Sequence, residues 1–312
     1  MICFEKTGIP VFSRFSINFA TFVRNISAMQ TLFFWIDSVN NVLWSYLLVA
    51  LLLGCAVWFT VRTRGVQFRM LREMLRVLGE SAGGGRRGER HVSSFQAFAV
   101  SLASRVGTGN LAGVATAIAV GGPGAVFWMW LTALLGSASA FIESTLAQIY
   151  KHRAEDGSSY GGPAYYIQAA LKKRWIGVLF AVTLIFTYMG GFNLVASFNI
   201  ADSFRAYGFY DPKMTPIVIG VILALIFAAS IFGGSKQISK ITGVLVPLMG
   251  IFYLAVSLFI VVTHFQLIPQ MFADIFTNAF DFRAIFGGFA GSCIMQGIKR
   301  GLFSNEAGVG SA

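Results

Sequence analysis

Seven stretches of this chain are apolar for long enough to cross a bilayer as helices, which takes roughly 20 residues, or 17–25 with tilt. They fall at 44–61, 95–120, 125–150, 176–206, 215–234, 240–263 and 284–300. Turn and charge signals separate them: GESAGGGRRGER at 79–90, GGPG at 121–124, KHRAEDGSSYGGP at 151–163 and GFYDPK at 208–213. A shorter segment, 65–78, puts Phe68, Leu71, Leu75 and Leu78 on one helical face and Arg69, Arg72 and Arg76 on the other. It predicts a helix lying on the inner membrane surface.

Composition agrees with the pattern. Of 312 residues, 56% are hydrophobic and only 12% charged, against about 25% charged in an average soluble domain. The expected class is therefore an all-α multi-pass membrane protein. The net charge of +11 would suit a nucleic-acid binder, but the basic residues lie in short clusters between the apolar runs. With the first span running from outside to inside, most of the 24 basic residues fall in inner connections and only Arg205, Lys213 and Arg283 outside. This is the positive-inside pattern of membrane topology, and no nucleic-acid partner is expected. Cys3, Cys55 and Cys293 form neither a disulfide framework nor a metal set.

Residues 1–28 carry Lys6, Arg14 and Arg24 on what should be the outer side. They contain no signal-peptide pattern, whereas Met29 opens a natural start. The segment is expected to be a spurious extension or an interfacial arm. Residues 29–94 then hold an extra N-terminal span and the basic amphipathic helix, 95–263 a five-helix repeat, and 264–312 the start of a second.

Two spans are interrupted by small residues. In the second, Arg105-Val106-Gly107-Thr108-Gly109-Asn110 weakens a helix at membrane depth, since each glycine costs about 1 kcal/mol in a helix interior. Its spacing mimics a dinucleotide fingerprint, but that motif needs a preceding strand. Unwound backbone inside a membrane lines cavities, where carbonyls meet cations and half-helix N-termini meet carboxylates. The competing role is close packing through Gly109-x-x-x-Gly113. The seventh span repeats the theme in Phe286-Gly287-Gly288-Phe289-Ala290-Gly291-Ser292, again with a packing alternative through Gly287 and Gly291. The breaks lie five spans apart, as in inverted five-helix repeats with substrate between the broken helices, which makes Gly288, Gly291 and Ser292 substrate-site candidates. Arg105 and Glu143 are ionisable residues inside spans, where each costs roughly 2.5–3.5 kcal/mol at a helix centre. They either pair, as coupling or gating residues, or reach the inner interface. Asp202 and Arg205 sit near an outer helix end and are expected to be solvated. No nucleophile–base pair can be drawn, so no enzyme is expected.

The run GGPGAVFWMWLTALLG (121–136) resembles the signature of the alanine or glycine:cation symporters, also called sodium:alanine symporters. RVGTGNLAGVATAI (105–118), FIESTLAQIY (141–150), GGPAYYI (161–167) and RGLFSNEAGVGSA (300–312) are similar to further stretches of that family. The resemblance implies a leucine-transporter-like inverted-repeat fold with one extra N-terminal helix. It implies a sodium-coupled symporter of a small neutral amino acid in a bacterial plasma (inner) membrane, with sodium as the co-transported ion and no cofactor. Thr108 and Gly109 would hold the substrate carboxylate, while Ala103, Val106 and Asn110 would face sodium. Where the family carries a Val-Gln-x-Asn-Ser-like stretch, this chain reads Val195-Ala196-Ser197-Phe198-Asn199, which fits a pocket of altered polarity or shape. The resemblance also implies that the chain is truncated after the first helix of the second repeat, with roughly 100–140 residues expected to follow. The alternative is a non-transporting sensor or scaffold derived from such a transporter.

Overall fold

A computed structural model describes residues 30–79, 94, 97–98, 101–102, 107–154, 159–232, 234–280 and 289–310. Among them, five helices are long and apolar enough to cross a membrane. The first, α1 (Gln30–Arg62), begins well before the expected residue 44. No glycine or proline interrupts 30–53, and within the helix the Ser45 hydroxyl donates to Asn41 Oδ1 at 2.6 Å. The chain divides into two compact units at Ala50–Leu51, inside α1, and all the other helices belong to the second unit.

The basic segment after α1 is helical, as its periodicity predicts, but in two pieces. A turn at Val66–Arg69 ends at Met70, and α2 spans Leu71–Gly79. Val66 is buried, whereas Phe68, Leu71 and Leu75 stay exposed. Gln67 ties the turn back to α1 by donating to Thr60 Oγ1 at 3.2 Å.

Among the described residues, helices also fall in the second and seventh expected spans. Helix α3 covers Thr108–Gly121 and includes the apolar stretch Ala112–Gly121. Helix α10 covers Phe289–Asn305. Between them lie α4 (Ala125–Ile149), a small hairpin of β1 (His152–Arg153) and β2 (Ser159–Tyr160), and α5 (Pro163–Leu171). There follow α6 (Arg174–Ser203), α7 (Met214–Phe232), α8 (Gly234–Thr263) and α9 (Ile268–Ala279). In α6 a π-helical turn occupies Thr187–Phe192, around Gly190 and Gly191.

Helix α9 lies in a stretch expected to be a connection. At 12 residues it is too short to register as a span, and it packs on α4 instead. There it explains the aromatic run Phe127-Trp128-Met129-Trp130. Phe127 packs edge-on against Phe280 at 4.8 Å, and Trp130 approaches Phe272. The Trp128 indole N–H donates to the Ala279 carbonyl at 3.3 Å. Met129 turns the other way, into a core with Ala117, Ala125 and Cys293.

The tightest packing joins α10 to α4. A Cβ at Gly297 would meet the Ala125 carbonyl, and one at Gly301 would overlap the Thr132 hydroxyl. Further along, Gly136 faces Asn305 and Ser139 lies by Gly308. Residue numbers rise together along both helices, so α4 and α10 run parallel. Helix α3 runs the opposite way: Gly121 meets Cys293 and Gln296, while Asn110 lies near Ser304 and Asn305. These directions are those expected of the second, third and seventh spans.

Candidate transport site

A cavity of about 320 Å³ opens where α3, α4 and α10 meet. Its wall is mostly apolar, including Leu102, Val114, Met129 and Trp130, with three polar side chains, Asn110, Ser304 and Asn305. An apolar hollow with a few placed polar groups is the usual form of a small-ligand site. Helix α3 supplies one edge by starting abruptly. Gly107 caps it in an extended conformation (φ −148°, ψ −155°), so Asn110 lies in the first turn, with its N–H on the Gly107 carbonyl at 3.1 Å. The first N–H groups of a helix lack intrahelical acceptors and carry the positive end of the helix dipole, which suits a carboxylate. On the facing wall, Asn305 donates from Nδ2 to the Ala133 carbonyl at 3.4 Å. Gly301 leaves room beside it.

Of the residues expected at a site, Asn110 lines this cavity. Thr108 and Gly109 open α3 beside it, and Gly291 and Ser292 lie in the first turn of α10; for these four only the backbone is described. Ala103, Arg105, Val106 and Gly288 lie outside the described residues. Ser304, Asn305 and Gly301 are not among the candidates that sequence pattern supplies. Their signal is nonetheless present in RGLFSNEAG, where a polar pair ends an apolar helix just after Gly301. Asn199 bonds within its own helix, donating to the Val195 carbonyl at 2.7 Å, and none of 195–199 lines the cavity. Asp202 and Arg205 form an exposed pair at 3.9 Å.

Glu143 belongs to a second, smaller cavity of about 170 Å³, with Ser139, Tyr166 and Gly308. Its side chain is buried, and Oε2 accepts the Gly308 N–H at 3.0 Å. The Tyr166 phenol is pushed up to about 12, by burial first and then by the negative charge of Glu143. Among the described residues, no three His, Cys, Asp or Glu side chains converge.

The model of the sodium:alanine symporter family matches residues 29–312. The chain belongs to that family. This is a family of transporters, not of enzymes. Among relatives of this sodium:alanine symporter family member, the probable sodium/glutamine symporter GlnT of Bacillus subtilis is 47% identical over 274 residues, covering 88% of this chain and 56% of the relative. The amino-acid carrier protein AlsT of the same organism is 46% identical over 278 residues, 89% and 57% of the two chains. The sodium/alanine symporter AgcS of Methanococcus maripaludis is 40% identical over 283 residues, 89% and 61%. The chain thus spans little more than half the length of the curated relatives it matches.

Proposed function

We propose that the protein imports a small neutral amino acid, such as alanine or glycine, together with sodium across a bacterial plasma membrane. The observation that carries this reading is the cavity between the start of α3 and the later half of α10, edged by Asn110, Ser304 and Asn305. The N-terminal amides of α3, at Thr108 and Gly109, would take the substrate carboxylate. Asn110, with carbonyls at Ala103 and Val106, would face sodium; Gly291 and Ser292 open α10 at its other end, where Cys293 meets Gly121, and do not line this cavity. The antiparallel contact of α3 and α10 supports a leucine-transporter-like arrangement, in which the opening helices of two inverted repeats enclose the substrate. The test is uptake of labelled alanine and glycine by the whole protein in proteoliposomes, with and without a sodium gradient. Uptake indifferent to sodium would overturn the reading.

A second reading replaces the small substrate with glutamine. The 47%-identical relative is named a probable sodium/glutamine symporter. Competition decides between the two. Excess unlabelled glutamine suppressing alanine uptake more strongly than excess glycine would favour this second substrate.

A further inference from the structure

We propose that Glu143 is a positioning residue: its carboxylate anchors the turn that follows α10, and through that turn holds Ser304 and Asn305 in the cavity wall. A carboxylate buried to 7% exposure inside a membrane protein is retained only where it has partners. One such partner is the backbone: Gly308 N–H donates to Oε2 at 3.0 Å.

The turn carrying that N–H is unusual. Glu306 (φ 51°), Gly308 (φ 85°) and Gly310 (φ 85°) all adopt left-handed backbone. Glu306 is not a glycine, so the conformation is unfavourable for it and must be held by its surroundings. Gly308 sits against Ser139 of α4 and Leu52 of α1. Only Glu306 and Ala307 separate it from Asn305, and both are buried. No slack chain can absorb a shift of Gly308, so the shift passes to Asn305. Helix α4 therefore grips the end of α10 twice, with the Ala133 carbonyl on Asn305 and the Glu143 carboxylate on Gly308. One face of one helix sets the position of the polar cavity edge.

The role in transport rests on the symport reading above; the anchoring does not. The experiment uses the whole protein, with hydrogen exchange over 306–310 as one arm and sodium-driven uptake as the other. Glu143→Leu removes the acceptor at similar volume, whereas Glu143→Gln keeps a carbonyl oxygen for the Gly308 N–H. In the Leu variant, exchange at 306–310 should rise about tenfold and KM about tenfold, with Vmax changed less than about threefold. The Gln variant should stay within about threefold of the unaltered protein in both arms. Unchanged exchange in Glu143→Leu overturns the anchor, and so does a Gln variant as impaired as the Leu variant. Should Glu143→Leu fail to fold, Gly308→Ala displaces the same turn from its other side; an unaltered KM there overturns the proposal. Unaltered protein without sodium-dependent uptake counts against the symport reading, while faster exchange in the Leu variant still supports the anchor.

Discussion

Gly301 of α10 lies so close over Thr132 of α4 that a methyl group on its Cα would overlap the Thr132 hydroxyl. Thr132 cannot turn away, because it is fully buried and its hydroxyl bonds to the Trp128 and Met129 carbonyls, both at 2.9 Å. The contact is thus backbone against a locked side chain, as where small residues let membrane helices approach closely.

Gly301→Ala is expected to destabilise the protein by about 1–3 kcal/mol through overpacking. Gly54→Ala provides the contrast, since among the described residues nothing lies within 4 Å of its would-be Cβ; there the helix gains up to about 1 kcal/mol. Thermal unfolding in detergent should shift in opposite directions for the two variants.

Trp128→Phe keeps the aromatic contacts with Phe127 and Phe280 but removes the N–H that Ala279 accepts. About 1 kcal/mol of net stabilisation should be lost, at the junction of α9 with α4. Faster amide exchange confined to 268–279 would show it; an unchanged rate there would refute the hydrogen bond's contribution.

Asn110→Ala and Asn305→Ala each remove a polar edge of the 320 Å³ cavity. In the whole protein, each should raise KM for amino-acid uptake about tenfold, the effect of losing one hydrogen bond to a charged group. Replacing Asn199, which bonds within α6 in this structure, should have the smaller effect. Kinetics of labelled uptake test the ranking.

Asp211 caps the chain before α7, where its carboxylate accepts N–H groups from Lys213 at 2.7 Å and Met214 at 2.8 Å. Those bonds, Met214 first, hold its pKa below the ordinary carboxylate value. A depressed folded pKa means that the stabilisation is complete above the unfolded value and is lost as pH falls through the folded one. Asp211→Ala should therefore melt below the unaltered protein at neutral pH. The difference should shrink on acidification, and a gap constant with pH would contradict the cap.

Much of the fold is legible in the chain because membrane spans are written in local terms. A run such as 215–234 or 240–263 is apolar on every face, and lipid demands that its backbone bonds close within the segment. Helix α9 is not legible in this way. Twelve residues with an aromatic face at Phe272 and Phe276 have no meaning until the face of α4 that receives them is known. The site is half legible. Asn110 stands out because glycines interrupt an otherwise apolar helix around it, whereas Ser304 and Asn305 look like an ordinary polar helix end. Gly287, which the sequence pairs with Gly291 for packing, lies outside the described residues; the close approach seen in α10 is that of Gly297 and Gly301.

The sequence by itself determined class, family and the approximate place of most spans, since these depend on hydropathy and near-unique strings such as Phe127-Trp128-Met129-Trp130. Only the tertiary structure decided what Glu143 holds. A carboxylate inside an apolar span is equally consistent with an arginine partner, a cation or a nearby interface. Which of these it meets depends on residues distant in the chain, and the chain order carries no sign that the backbone of Gly308, 165 positions away, returns to it.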